Sequence, residues 1–505
     1  MSRTSALLVC AFALFGCGDD SPPPSNPDAG TPLSCPASEK PLGTSFLEDT
    51  SPAQVYHPPG PLQVGQTVSF EVPENTASIT IVEQAVSAPD SIFLRRPTQQ
   101  IAIHNTAVPL IVKDPLLNTV FDDNQRPPAD ISTLPVFFAS DSPATGTLTI
   151  PNTTAGLALV GPEGLPAGTW SFIVSDYAYE CTSPAASPLP ADITCTGGND
   201  QSLYDVTVIT KPTVAAAIPA TGKLDVAIYF ATTIAGGTAG AAPLDANRAN
   251  AGDDQDLNRM VTALGLLFGQ GGITLGNVNY TLLPPDVLAT YTTGVSIDEG
   301  GACGDLAQLL KLAEPGHTLN IFFVSSLKAS GLQGNQEVVG VDGTIPGPST
   351  IGGTVASGAA VATLNLRANT GMADCQTPLN GLASLNLRCG ADETAYIIAH
   401  EAGHFLGLYH VTEAEGTLFD PLSDTATCPC STCATTATDR AFCADATPAP
   451  PAGTEHPMEF AECNQAGCGG GTNLMFWSLG SSSQGLLTPQ QQSVLQANPL
   501  IQIVP

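Results

Sequence analysis

The sequence predicts a multidomain fold, with an N-terminal all-β sandwich followed by an α/β (α+β) domain that ends in a disulfide-rich subdomain. At 505 residues the chain is too long for one ordinary hydrophobic core. Apolar residues alternate with period two up to about residue 212, and strand patterns alternate with helical ones after it. Six of the 14 cysteines lie between residues 428 and 468, where apolar periodicity is lost.

The first 45 residues read as an export signal and a tether. An apolar run over 6–15 follows Arg3, and its length of about ten residues is half of what a helix needs to span a bilayer, so residues 1–16 are predicted to be a signal peptide. Leu14-Phe15-Gly16-Cys17 resembles a bacterial lipobox, which implies lipidation of Cys17. The alternative is a plain signal peptide with an incidental cysteine. Residues 17–45 are rich in Ser, Pro, Asp and Gly and are predicted to be a flexible tether.

Residues 46–212 are predicted to form the β-sandwich. Val68, Phe70 and Val72 alternate with polar residues, as do Trp170 and Phe172 after a Leu-Pro-Ala-Gly turn. This period places every second side chain on one face of a sheet. Two such faces, packed together, would form the core.

From residue 213 onward, strands and helices alternate. The patterns predict strands over 224–230, 273–282, 319–324 and 354–366, helices over 253–268 and 305–313, and a long helix capped by Asp392. Thr488-Pro489-Gln490-Gln491 is a capping box that starts a last helix. The segment 351–366 is the candidate edge strand of this sheet, and an ordinary interior strand is the alternative.

Charge and cysteines restrict the partners and the compartment. The chain has 46 acidic and 15 basic residues, a net charge of −31, which argues against nucleic acid and anionic membrane surfaces as partners. In an exported protein the cysteines read as disulfides. Cys181 with Cys195 and Cys375 with Cys389 are the local pairs. The cysteines of 428–468 are open to a second interpretation, a further zinc site.

The segment 400–410 carries the candidate metal site. His400 and His404 are four residues apart, so on a helix both imidazoles lie on one face, with Glu401 beside them. On a continuous helix His410 would lie about 9 Å further along the axis, out of reach of the same ion. Gly407 can end the helix, because glycine adopts the left-handed conformation without steric cost. Only seven histidines occur in the chain, and three of them are in this segment.

His-Glu-x-x-His-x-x-Gly-x-x-His over 400–410 resembles the zinc signature of the metzincin metalloendopeptidases. Met475, in Asn-Leu-Met-Phe-Trp, resembles the methionine turn that lies beneath the zinc in this clan. Asp420 to Thr425, followed by Cys428, is similar to the segment after the third histidine in pappalysin-like members.

The resemblance implies that residues 213–505 form a catalytic domain that hydrolyses peptide bonds of extracellular proteins. One catalytic Zn²⁺ would be held by His400, His404 and His410, and Glu401 would be the general base that activates water. Calcium is a second candidate cofactor. The partner would be a protein or peptide substrate, with a membrane contacted only through the N-terminal lipid anchor of an envelope (outer-membrane) lipoprotein, unless the protein is secreted. The domain 46–212 would be an accessory domain or a pro-domain.

Two rival hypotheses remain. One is a surface binding or adhesion lipoprotein that keeps a peptidase scaffold without catalysis. The other is a zinc hydrolase of another clan, in which a distant glutamate replaces His410 as the third ligand.

Overall fold

The computed structural model describes residues 53–86, 93–96, 99–122, 144–183, 194–198, 203–213, 218–234, 254–297, 304–314, 316–329, 337–448, 450, 454–480 and 485–504, together with the strand Leu7–Leu8. Cys17 and the tether 17–45 lie outside the described residues, as does the predicted signal peptide apart from this strand.

The N-terminal half consists of two antiparallel sheets and one short helix. Its elements are β1 (Leu7–Leu8), β2 (Gln54–Tyr56), β3 (Leu62–Gln63), β4 (Thr67–Val72), β5 (Thr76–Ala85), β6 (Phe93–Arg96), β7 (Gln99–Lys113), β8 (Thr119–Asp122), β9 (Thr145–Ile150), α1 (Thr154–Leu159), β10 (Gly168–Ser183), β11 (Thr194–Gly198) and β12 (Leu203–Pro212). One sheet has the order β11-β10-β7-β6, with β4 on β10 and β8 on β7. The other has the order β2-β12-β5-β9, with β3 on β12.

These two sheets share one apolar core. Phe70 and Trp170 from the first sheet and Ile79 and Ile81 from the second belong to the same buried cluster. In β4 buried and exposed residues alternate strictly, as the period-two pattern predicted. The arrangement is that of two sheets packed face to face, and β1 lies apart from both.

The C-terminal half is a mixed sheet with helices. Its elements are β13 (Gly222–Phe230), α2 (Gln255–Gly269), β14 (Ile273–Leu282), α3 (Pro285–Tyr291), β15 (Val295–Ser296), α4 (Asp305–Leu310), β16 (Thr318–Val324), β17 (Leu327–Lys328), β18 (Glu337–Val338), β19 (Gly340–Asp342), β20 (Ala359–Ala362), α5 (Ala373–Gln376), α6 (Gly390–Phe405), α7 (Cys430–Cys433), α8 (Ala437–Ala441), β21 (Ser478–Leu479), α9 (Pro489–Ala497) and β22 (Gln502–Ile503). Short 3₁₀ helices cover Leu382–Ser384 and Glu462–Asn464.

The central sheet of this half has the order β14-β13-β16-β20-β19. The first four strands run parallel, β19 is antiparallel at the edge, and β22 pairs antiparallel with β13. Helices α2 and α6 pack against each other and share a buried cluster with the sheet, to which Met260 and Ile398 belong. This packing buries α6 along its whole length.

Two sequence predictions in this half were wrong. The predicted edge strand 351–366 contains only the short strand β20, which is interior because β16 and β19 flank it. The edge strand is Gly340–Asp342 instead, since residues 343–358 form a loop that brings the chain back alongside it. Asp392 is not the cap of α6, which begins at Gly390. Its carboxylate instead receives two hydrogen bonds from Arg259 of α2, at 2.7 and 2.8 Å.

Four disulfides link described residues. Cys375 pairs with Cys389, Cys428 with Cys463, Cys430 with Cys443, and Cys433 with Cys468. Their number fits an extracellular protein. All six cysteines of 428–468 are therefore oxidised, which removes the second zinc site. Cys181 and Cys195 are register partners on β10 and β11. Among the described residues, no helix is both long and apolar enough to span a bilayer.

Candidate metal centre

Helix α6 ends in a turn built around Gly407. The residue has φ +110°, in the left-handed region, and its N–H donates to the His404 carbonyl at 2.8 Å. The N–H of Leu408 reaches back to the carbonyl of Gly403, also at 2.8 Å. These two bonds form a Schellman motif, which stops the helix and reverses the chain. The predicted helix break is thus the feature that returns His410 to the helix.

The three histidines converge on one point. The Nε2 atoms of His400 and His404 are 3.1 Å apart, and the Nε2 of His410 lies 3.2 Å from each of them. All three side chains are buried. The group can hold a metal ion. The third histidine comes from beyond the turn, so no distant glutamate is needed to complete it.

The opposite ring nitrogens determine the tautomers. His400 Nδ1 lies 2.7 Å from the Leu474 carbonyl, and His404 Nδ1 lies 2.7 Å from the Leu408 carbonyl. His410 Nδ1 lies 2.9 Å from Oε2 of Glu413. Each of these oxygens only accepts, so each Nδ1 carries the proton and donates it. Three unprotonated Nε2 atoms therefore face one another and cannot hydrogen-bond together, an arrangement that a cation stabilises.

Burial keeps the imidazoles of His400 and His404 neutral. It lowers the pKa of His400 to about 3, with a further lowering by neighbouring His410. The pKa of His404 is well below its usual range for the same reasons, burial first and the two other histidines next. Neutral imidazole is the form that binds metal.

Glu401 lies beside the histidines as an unpaired buried acid. Its side chain is fully buried, and neither carboxyl oxygen has a hydrogen-bond partner among the described residues. Burial raises its pKa well above the ordinary glutamate range, the nearby Asp342 carboxyl raises it further, and the backbone N–H of Asp342 offsets only part of this rise. A carboxyl group with an elevated pKa and free lone pairs is suited to accept and return a proton.

Edge strand β19 covers Glu401. A Cβ on Gly340 would stand 2.3 Å from Oε1 of Glu401, so only glycine permits this approach. Asp342 is two residues further along the strand and therefore points to the same face. It is buried, and its Oδ2 has no hydrogen-bond partner in the described part of the chain. Burial raises the pKa of Asp342 to about 7.

Met475 forms the floor of the site. It is fully buried, and a Cβ on Gly403 would stand 2.5 Å from its Sδ, so the helix passes directly against the thioether. The Met475 carbonyl accepts the N–H of Val411, and its own N–H donates to Oδ1 of Asn473 at 2.8 Å. The segment around Met475 thus anchors the chain just after His410, while neighbouring Leu474 orients His400.

Sequence reasoning missed Glu413, Gly340 and Asp342. Glu413 was detectable, because an acid three residues after a ligand histidine is placed to receive its Nδ1 proton. Gly340 and Asp342 lie 60 residues before the motif and have no local pattern that connects them to it. Only the pairing of β19 with β20 brings them over α6.

A second group, Asp439, His456 and Glu462, also lies close enough together for an ion. Its members already bond to protein atoms, however. Nε2 of His456 is 2.9 Å from Oε2 of Glu462, which also accepts the Glu459 N–H. Oδ2 of Asp439 bonds the hydroxyl and N–H of Thr436 in the capping box of α8. We interpret this group as a hydrogen-bonded cluster within the disulfide-rich segment.

A groove one strand wide lies near the site. The backbone of β1 pairs parallel with Glu337–Val338 (β18) and antiparallel with Ser478–Leu479 (β21), so these two segments hold one extended strand between them. β18 is followed after one residue by the edge strand that covers Glu401, and β21 follows Met475 by three residues. The two strands that flank β1 are therefore each within three residues of a segment that packs against the metal centre.

The arrangement can bind a metal and transfer protons beside it. Three imidazoles that converge through their Nε2 atoms and a buried carboxyl lie together near the end of α6. No protein-family model matches this chain, and no curated protein matches its sequence significantly.

Proposed function

We propose that this chain is a zinc-dependent endopeptidase of the metzincin type, closest to the pappalysin-like group. The observation that carries the proposal is the convergence of three unprotonated Nε2 atoms beside the unpaired carboxyl of Glu401. The sheet order, the antiparallel edge strand, the turn at Gly407 and the floor at Met475 support it further. All of these features lie in residues 218–505.

The donor set fits zinc. Tetrahedral zinc with Zn–N bonds of 2.0–2.1 Å separates its ligand nitrogens by about 3.3 Å, and the Nε2 atoms here are 3.1–3.2 Å apart. Three protein ligands are typical of catalytic zinc, since they leave one position open. Neutral imidazole suits zinc better than calcium, which takes oxygen ligands. A calcium site elsewhere in the chain remains a prediction.

In the proposed reaction, Glu401 is the group that moves protons. Bound zinc supplies Lewis acidity and lowers the pKa of water toward neutrality. Glu401 accepts a proton from the attacking water and returns it to the leaving amine as the C–N bond breaks. The carbonyls of Leu474 and Leu408, with the Glu413 carboxyl, keep the imidazoles in the required tautomer. Burial of the site excludes bulk water from these transfers.

The groove between β18 and β21 is the proposed substrate-binding site. Backbone hydrogen bonds to β18 would align an extended peptide, which adds a strand to an exposed edge. β1 lies within the predicted signal peptide, so its removal in the mature protein would free the groove. Export as an envelope lipoprotein anchored at Cys17 is part of the proposal.

The decisive experiment is hydrolysis of an unfolded protein by the chain from residue 18 onward, in the presence of zinc. Glu401→Gln should lose cleavage while it keeps zinc. Glu393→Gln is the matched control, because Glu393 is also a buried acid on α6, two turns earlier, and should stay active. Equal cleavage by the Glu401→Gln variant would refute the proposed role.

The enclosure of the site favours a second candidate, a binding protein on a peptidase scaffold. His400, Glu401 and His404 are 0% exposed and His410 is 2% exposed. If the chain from residue 18 binds zinc stoichiometrically and binds peptides but cleaves none, this candidate replaces the first.

A further inference from the structure

The N-terminal half contacts the last turn of helix α9 with two buried side chains. Nζ of Lys211, on β12, donates to the carbonyls of Gln496 at 2.5 Å and Asn498 at 2.9 Å. Oγ of Ser78, on β5, donates to the carbonyl of Ala497 at 2.5 Å. Three consecutive carbonyls, those of the last two residues of α9 and of its C-cap Asn498, therefore receive hydrogen bonds from the other half of the chain, and the Asn498 carbonyl also accepts the N–H of Ile501 at 3.1 Å.

These carbonyls need such donors. The last carbonyls of a helix have no partner within the helix, and here they are buried. A buried carbonyl without a donor is unfavourable, and a lysine at a helix C-terminus also complements the helix dipole. Lys211 and Ser78 thus provide the hydrogen-bond donors that water provides to the carbonyls of an exposed helix end.

A second contact reaches the other end of α9. The backbone N–H of Thr154, at the start of α1, donates to the Pro421 carbonyl at 3.0 Å. Its hydroxyl donates to Oε1 of Gln490 at 2.6 Å and accepts the N–H of Ser423 at 2.8 Å. The N-terminal half therefore holds both ends of α9, together with the loop that follows His410.

Asn498 continues this contact to the metal centre. Its side-chain amide donates to the carbonyl of Leu406, the C-cap residue of α6, at 3.3 Å, while Oδ1 accepts from Ser349 at 2.8 Å. Two residues after Leu406, the Leu408 carbonyl accepts the Nδ1 proton of His404. A continuous set of bonds thus runs from Lys211 through Asn498 to the turn that orients His404.

We propose that the N-terminal half is a permanent structural part of the metal-binding half, and that Lys211 is a positioning residue for the metal centre. The two halves should stay together after the connection between Thr213 and Ile218 is cut. This distinguishes a fixed accessory domain from a pro-domain that leaves on cleavage, the two roles that sequence alone does not separate.

The physical reason is that departure of the N-terminal half would leave the buried carbonyls of Gln496 and Ala497 without a donor among the described residues of the metal-binding half. Asn498, whose side chain bonds the Leu406 carbonyl, would lose the Lys211 hydrogen bond to its backbone carbonyl and keep only the one from Ile501. Release would therefore loosen the metal centre, the opposite of what activation by removal of a pro-domain requires.

The test uses the full chain with residues 214–217 replaced by the recognition sequence of a specific protease. After complete cutting, the two fragments are separated by size-exclusion chromatography in native buffer, and zinc affinity is measured by competition with a chromogenic chelator. We expect the fragments to co-elute and the zinc Kd to change less than twofold. Separation of the fragments in native buffer, or tighter zinc binding after cutting, would overturn the proposal.

Point variants test the named contacts. Lys211→Met should raise the zinc Kd on the order of tenfold, as loss of an outer support of a ligand does. Lys113→Met, the same change at a partly buried lysine on β7 of the other sheet, should leave it unchanged. Ser78→Ala removes one bond with little loss of volume, and serves if Lys211→Met fails to fold. It should lower the urea concentration at which the cut fragments separate.

An unchanged zinc Kd in a folded Lys211→Met variant would contradict the positioning role, and equal fragment separation in Ser78→Ala and wild type would contradict the permanent contact between the halves. Neither measurement requires peptidase activity. The proposed function can therefore fail while this proposal holds, and the reverse is equally detectable.

Discussion

The Leu408 carbonyl accepts the Nδ1 proton of His404 at 2.7 Å, so the turn that ends α6 also orients the ligand one turn before it. The same turn returns His410 to within 3.2 Å of His404, measured between Nε2 atoms. Helix termination and ligand geometry are thus one structural feature, and a change at the turn should affect both.

Gly407→Ala tests that coupling. An alanine at φ +110° is strained by about 1–2 kcal/mol, and the turn would relax at the expense of the Leu408 and His410 positions. We expect a lower free energy of unfolding in urea and a weaker zinc affinity in chelator competition. Gly269→Ala, at the end of α2, is the control, since a Cβ there meets nothing within 4 Å. Unchanged zinc affinity in Gly407→Ala would argue against the coupling.

Gly340→Ala should impair the proposed base, Glu401, without changing metal binding. The new Cβ would stand 2.3 Å from Oε1 of Glu401 and displace the carboxyl, with an overpacking cost of about 1–3 kcal/mol. We expect kcat to fall strongly while zinc stoichiometry, measured by atomic absorption, stays at one per chain. If zinc is lost together with activity, the effect is on the whole site and the assignment of Gly340 to Glu401 is wrong.

Glu413→Ala should weaken zinc binding without removing a ligand. Loss of the acceptor for His410 Nδ1 typically costs about 10–100-fold in metal affinity. Chelator competition measures the change, and Glu413→Gln, which keeps an acceptor oxygen, should recover part of it. Asp445→Ala, at an exposed acid of the disulfide-rich segment, should bind zinc as the wild type does.

Zinc should stabilise the fold through His410. An ion that binds only the folded chain adds about 2.7 kcal/mol at a concentration of 100 Kd. We therefore expect Tm to rise with zinc and fall with a strong chelator. In His410→Ala this zinc-dependent difference in Tm should largely disappear. A full zinc response in that variant would favour the rival with a different third ligand.

Lys211 should make stability depend on pH above neutrality. Burial lowers its pKa to about 7 from an ordinary value of 10.5, so between these values the unfolded chain binds more protons than the folded one. The free-energy cost of burying charged Lys211 is therefore fully present below pH 7. It decreases as pH rises from 7 to about 10, so the folded protein becomes more stable over this range. In urea unfolding, the free energy of unfolding of the wild type should rise relative to that of Lys211→Met over this pH range.

The size of that shift is at most about 4 kcal/mol, because each pKa unit corresponds to about 1.4 kcal/mol and the two carbonyl acceptors favour the ammonium form. If the difference in free energy of unfolding between wild type and Lys211→Met is constant from pH 7 to 10, Lys211 is charged in the folded protein over this whole range.

Local patterns in the sequence determined much of the architecture and which residues form the candidate metal centre. The strand Ile273–Leu282 was predicted residue for residue, and the last helix begins at its predicted capping box. His400, Glu401, His404, Gly407 and His410 were identified because helical spacing and the conformational freedom of glycine act over only a few residues. These interactions are short in range, so a short segment of sequence contains them.

Contacts between distant segments were decided only by the tertiary structure. Gly340 and Asp342 lie over Glu401 because β19 pairs with β20, and Asp392 was misassigned as a cap because its partner Arg259 is 133 residues away. The contact of Lys211 with α9 spans 285 residues. Packing and long-range hydrogen bonds depend on which faces of the helices and strands pack together. The periodicity of apolar residues within one segment does not specify which other segment packs against it.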